Sequence, residues 1–139
     1  MLPIEKVNFE AIPPYAPEFF RAAVDLALLA SYKEIQLDGE PDLIVELIDL
    51  YLEDAPRRVA VMRESLTNRD WLSVKREAHS LRGSSGNLGG LQMALICEEI
   101  EGTQCSDPFS SIAALLRCLE HELERVVHTF LAERQRRLQ

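Results

Sequence analysis

Between positions 44 and 66 the apolar residues Ile44, Ile48, Tyr51, Ala55, Val59, Met62 and Leu66 return at intervals of three and four. That is the period of an α-helix, and no strand can gather such a series on one face. The phase survives Pro56, so the spacing predicts one long helix kinked at the proline rather than two helices. A second stripe, Ile112, Leu116, Leu119, Leu123, Val126 and Phe130, follows Asp107-Pro108, which offers a helix start with proline in the first turn. Arg134, Arg136 and Arg137 stand at its end, where the helix dipole favours cations.

Two further helices lie between these. Trp71, Val74, Ala78, Leu81, Ser85 and Leu88 share one face of a helix that Asp70 can cap, and turn-forming residues from Asn87 to Gly90 end it. Residues 91–101 are apolar on several sides through Leu91, Met93, Leu95, Ile96, Cys97 and Ile100, as suits a central member of a bundle. No alternating strand pattern competes. The prediction is an all-α fold, an antiparallel four-helix bundle. An additional N-terminal helix, capped by Asp25, carrying Leu26, Leu28, Leu29 and Tyr32 and ending before Gly39, is expected to pack against it. Residues 1–20, with Pro3, Pro13, Pro14 and Pro17, read as an irregular extension, and 21–139 as the bundle domain.

The chemistry points to one stretch, Ala78-His79-Ser80-Leu81-Arg82-Gly83-Ser84-Ser85-Gly86. Each glycine costs a helix interior about 1 kcal/mol relative to alanine. Two of them beside one histidine suggest that something must approach that side chain closely. His79 falls to one side of the apolar face and shares its own side with Leu72, Lys75, Arg76, Arg82, Gly83 and Gly86. The imidazole is therefore expected to reach solvent, in an open lane flanked by positive charge.

His79-Ser80-Leu81-Arg82-Gly83-Ser84-Ser85, followed by Leu88-Gly89, Cys97 and Ile100-Glu101, resembles the signature of the histidine-containing phosphotransfer (HPt) family of multistep His-Asp phosphorelays. Residues 25–29, 43–56 and the Asn68-Arg69-Asp70-Trp71 turn resemble it too, so the similarity covers roughly 24–101, with only a compatible helix beyond. The resemblance implies that His79 accepts a phosphoryl group from one response-regulator receiver domain and passes it to the aspartate of another, downstream of a hybrid sensor histidine kinase. It implies no cofactor on this chain, with Mg2+ supplied by the partner receiver. Arg82 and Lys75 would support the phosphate, Leu72, Arg76, Gly83 and Gly86 would form the receiver-docking surface, and Glu101 would orient the imidazole. The family most often has lysine where this chain has Arg82, and a planar guanidinium presents its charge differently from a compact ammonium. A neutral imidazole nitrogen is a competent nucleophile toward phosphorus, and an ordinary imidazole pKa of about 6.5 keeps most such rings neutral near pH 7.

Plainer readings stand beside these. Arg82 can be a solvated surface charge, the two glycines a fraying helix end, and Glu101 one solvated member of the Glu98-Glu99-Glu101 run. His121 and His128 lie off the last apolar stripe, on a face with Glu122 and Arg125, and read as surface residues. Cys118 and His121 have helical spacing for shared metal ligation but lack further ligands. At the level of function, a phosphorylation-independent module that sequesters a receiver is the main alternative. A sensor-kinase dimerisation region normally follows its histidine with an acidic residue and then a proline, and His79 has neither. The chain also lacks a glycine-rich nucleotide-binding segment, so no autokinase activity is expected and the protein reads as a carrier rather than an enzyme.

Composition narrows the partners. A chain of 139 residues, 47% hydrophobic, can bury one core. The net charge of −8 argues against nucleic acid, with Lys75, Arg76 and Arg82 a local exception. No apolar run approaches the ~20 residues needed to cross a bilayer, and the N-terminus lacks a basic segment leading into an apolar one. The expectation is a cytoplasmic monomer without membrane attachment, and Met1 with a complete bundle suggests a stand-alone chain. Cys97, Cys105 and Cys118 show no paired spacing and read as buried or inert thiols.

Overall fold

The computed structural model describes residues 22–104 and 106–139. The extension expected at 1–20 and the Cys105 thiol lie outside the described residues.

Asp25 caps a short helix, α1 (Leu26–Ala30), by accepting the N–H groups of Ala27 and Leu28. The segment tightens into a 3-10 turn, Ser31–Ile35, so Tyr32 lies on that turn rather than on an α-helix. Only Leu29 of α1 is buried, while Leu26 and Leu28 are exposed. Two long-range bonds hold the segment to the bundle: the Asp25 N–H donates to the Gly89 carbonyl (2.8 Å), and the Tyr32 hydroxyl donates to the Asn87 carbonyl (2.7 Å). The approach is close enough that a Cβ at Gly89, whose φ is +90°, would sit 2.6 Å from the Asp25 carbonyl oxygen.

The first stripe forms α2 (Leu43–Thr67), one helix through Pro56, capped by Asp42. Every residue of that stripe is buried. Proline is tolerated because its side chain faces solvent and the stripe continues beneath it, so only the local backbone bond is lost. A turn through Arg69 (φ 54°) leads to α3 (Trp71–Asn87), capped by Asp70 on the Ser73 N–H. The Gly90 turn opens α4 (Leu91–Gly102), and α5 (Phe109–Arg137) closes the bundle. Cross-helix partners give the antiparallel order. Arg137 meets Asp42, Arg134 meets Asp49 and Arg63 meets Glu120 between α5 and α2, while Arg58 meets Glu77 between α2 and α3. In the core, Tyr51 meets Phe130 edge to face with ring centroids 5.2 Å apart, and its hydroxyl bonds the Ser85 Oγ (2.8 Å).

Three further details depart from the expectation. Pro108 sits at the N-cap of α5 instead of in its first turn, because Asp107 already accepts the Phe109 N–H. Leu91 and Leu95 are 47% and 38% exposed. α4 turns Met93, Ile96, Cys97 and Ile100 inward against α3 and α5, which leaves its outer face to solvent. Most telling, Glu122 is not on a surface face: it is 0% exposed, and His121 beside it is half-buried, whereas His128 is exposed as expected. Arg125, one turn on, reaches the Glu122 carboxylate at 2.7 Å. Burial pushes that carboxyl up to about 7.

Candidate functional site

α3 is fixed on one side by Val74, Ala78, Leu81 and Ser85, all fully buried, and on another by the Glu77 pair with Arg58. A helix so anchored leaves little freedom to the residues off its apolar stripe. His79 projects from the remaining side with 66% of its side chain exposed. Its Nδ1 lies 2.9 Å from Oε2 of Glu101, near the end of α4. A carboxylate oxygen only accepts, so the imidazole donates from Nδ1 and keeps its basic lone pair on Nε2. The other Glu101 oxygen, Oε1, lies 3.3 Å from Nη1 of Arg82, so one carboxylate faces both the imidazole and the guanidinium. Beneath it, Cys97 is buried, and burial reinforced by the nearby Glu101 charge pushes its thiol up to about 12. Cys118 is likewise buried, its thiol pushed up to about 11. Neither thiol is a nucleophile at neutral pH.

The residues read from sequence as one surface do share it. Leu72, Arg76 and Gly83 are exposed, and Gly86 is half-buried beside α4. A Cβ at Gly83 would meet nothing within 4 Å, and one at Gly86 would make an ordinary 3.8 Å contact with Ala94. Packing within the chain demands neither glycine. The lane of positive charge is modified: Arg82 is engaged by Glu101, and the half-buried Lys75 donates from Nζ to the Thr103 carbonyl at 2.6 Å. These engagements join residues far apart in sequence, and the available signal was indirect. Glu98, Glu99 and Glu101 crowd a helix end with no cation of its own, so cations must come from a neighbouring helix.

The family model for the Hpt domain matches residues 46–129. The chain belongs to the Hpt family. The match takes in most of α5, which the resemblance in the sequence had left out, and omits α1. Among curated relatives, histidine-containing phosphotransfer protein 5 of Arabidopsis thaliana is 30% identical over 91 residues, 63% of this chain. Histidine-containing phosphotransfer protein 2 of the same plant is 28% identical over 91 residues. The matched stretch spans 56% of each of these proteins. Among solved structures, histidine-containing phosphotransfer protein B (HptB) from Pseudomonas aeruginosa PAO1 aligns with a TM-score of 0.73 at 28% identity, covering 84% of this chain and 97% of its own. MtHPt2 from Medicago truncatula aligns with a TM-score of 0.70 at 16% identity, covering 95% and 90%, and at that identity speaks for the Hpt fold alone. No helix among the described residues is long and apolar enough to cross a membrane.

Proposed function

We propose that this Hpt domain carries a phosphoryl group on His79 between the aspartates of response-regulator receiver domains, charged from a hybrid sensor histidine kinase. The observation that carries the reading is the Glu101 hydrogen bond to Nδ1, which leaves Nε2 as the nucleophile on an exposed imidazole. In the first transfer the Nε2 lone pair attacks the phosphorus of an aspartyl phosphate. The N–P bond forms as the P–O bond to the aspartate breaks, and the aspartate departs as a carboxylate. The Nδ1 proton stays on the ring, and the positive charge the ring acquires faces Glu101. The onward step runs in reverse: an aspartate oxygen of the second receiver attacks phosphorus, and Nε2 leaves with the bonding pair.

Phosphoryl transfer depends chiefly on positioning and charge stabilisation. Arg82 supplies charge here, since its guanidinium stays ion-paired beside Glu101 while its fork of donors can turn to phosphoryl oxygens. The open surface at Gly83 admits the receiver, with Leu72, Arg76 and Gly86 around it. The names of the plant and Pseudomonas relatives support the same chemistry. Magnesium enters this reading as an ion of the receiver, offsetting charge on the transferring group. The carrier has no autokinase activity in this account. The described residues from 22 onward make up its receiver-facing part, and it works as a cytoplasmic monomer.

Incubation with a phosphorylated receiver, followed by mapping of the modified residue and a chase with a second receiver, tests the proposal. Phosphate at His79 that drains to the second receiver is the expected result. Tight receiver binding without any phosphate on His79 would instead favour the sequestering module.

A further inference from the structure

The C-terminal end of α4 is poorly provided for by its own sequence. Its last turns carry Glu98, Glu99 and Glu101, no basic residue, and Gly102 as the final helical position. Carboxylates at the negative end of a helix dipole oppose it, and glycine has the lowest helix propensity after proline. Such an end frays unless something outside the helix holds it. Glu101, the partner of the His79 imidazole, sits on that turn.

The restraints that hold it are Thr103 and two cations of α3. Thr103 donates its N–H to the Ile100 carbonyl and its Oγ1 to the Glu99 carbonyl (3.0 Å). Lys75 Nζ in turn donates to the Thr103 carbonyl at 2.6 Å, and Arg82 reaches the Glu101 carboxylate. Lys75 lies one turn before His79 on α3 and Arg82 one turn after it. The two therefore clamp the end of α4 from either side of the imidazole, one by its backbone and the other by its side chain.

We propose that Lys75 is a positioning residue. Its bond to the Thr103 carbonyl keeps the last turn of α4 wound, so that Glu101 stays on Nδ1 of His79 and the lone pair stays on Nε2. This differs from the phosphate-supporting role expected from the sequence: Lys75 acts on the imidazole through Thr103 and Glu101, without touching the phosphoryl group. The inference rests on His79 being the phosphoacceptor only for its effect on reactivity. Its effect on the imidazole tautomer stands apart from that reading.

The test compares wild type, Lys75→Met and Lys75→Arg in three measurements: amide exchange at residues 101–103, the His79 tautomer by nitrogen-15 NMR, and the rate of phosphorylation by phosphoramidate. That small donor needs no receiver docking. In Lys75→Met the exchange at 101–103 should rise about tenfold, the worth of one hydrogen bond to a charged group. The Nδ1–H tautomer should lose population, and the phosphorylation rate should fall with it. Lys75→Arg, which keeps a charged donor, should restore all three. Slower phosphorylation with tautomer and exchange unchanged would make Lys75 a direct phosphate contact and overturn the proposal. Faster exchange with the tautomer intact would overturn it as well. If phosphoramidate leaves wild-type His79 unmodified, the phosphoacceptor reading fails, and the tautomer measurement alone decides whether Lys75 positions the ring.

Discussion

The imidazole of His79 on α3 and the carboxylate of Glu101 on α4 share a 2.9 Å hydrogen bond across the helix pair. This contact distinguishes the two ring nitrogens. Nδ1 is occupied as a donor, Nε2 keeps the lone pair, and the charge that would build up on a phosphorylated ring has a carboxylate already in place. The second Glu101 oxygen faces Arg82 at 3.3 Å, so the same carboxylate ties the imidazole to the guanidinium.

Arg82 is expected to act chiefly on the phosphoryl group, and on the fold only through its local hold on Glu101 at the end of α4. Arg82→Ala should slow transfer from a phosphorylated receiver while changing stability by no more than about 0.5 kcal/mol, as at typical surface sites. Stopped-flow transfer rates set beside thermal melts check both halves. A large stability loss with normal transfer would make the residue structural.

At Gly83 a side chain meets nothing inside the chain. Gly83→Ala should therefore stabilise the helix by about 1 kcal/mol, and Gly83→Glu by somewhat less. Receiver binding, measured by calorimetry, should survive the alanine and be lost with the glutamate, which adds bulk and a charge opposed to the phosphoryl group. Unaltered binding by a folded Gly83→Glu protein would refute the clearance argument.

Glu122 makes stability depend on pH. Its carboxyl is raised from the ordinary value of 4.5 to about 7, first by burial, with Arg125 opposing the shift. The folded state then holds its proton more tightly than the unfolded chain, so this group's stabilising contribution is full below about 4.5 and is lost as pH rises through 7. A shift of this size corresponds to a cost on the order of 3 kcal/mol above neutrality. Glu122→Gln should melt higher than wild type at pH 8, with the gap closing toward pH 5. An identical pH profile for both proteins would contradict the assignment.

Gly89 is required by close approach as well as by backbone angle. Gly89→Ala combines a φ of +90° with a Cβ 2.6 Å from the Asp25 carbonyl oxygen. The cost should be about 1–3 kcal/mol. Exchange of the Asp25 amide, which is bonded to the Gly89 carbonyl, should rise more than exchange in the middle of α2. Uniform behaviour across the two would argue against a specific hold on α1.

What the sequence reveals about this fold depends on whether the relevant contact is local. The α2 stripe from Ile44 to Leu66 is legible because helical period alone brings its members to one face, even past Pro56. The Asp25, Asp42 and Asp70 caps act within a few residues of themselves, and Asp25 and Asp70 could be read directly. The exposed side of His79 follows from the same geometry. Glu122 was misread because residue type outweighed position: it lies between Leu119 and Val126 on the inward face, and Arg125 is near enough to meet the buried charge. The outer face of α4 was hidden because an apolar residue such as Leu91 or Leu95 looks alike whether or not a neighbour covers it. Around the imidazole, Glu101 was identifiable by resemblance, but its hold on Arg82 and the reach of Lys75 to Thr103 cross between helices. No spacing rule reports such pairs.

The central claim concerns a single nitrogen. Wild type and His79→Gln, each shown by circular dichroism to be folded, should be mixed with the same phosphorylated receiver and the acquired phosphate quantified and mapped. The account predicts acid-labile phosphate on His79 of the wild type and none on the variant. Phosphate retained by His79→Gln, or located on His121 or His128, would contradict it.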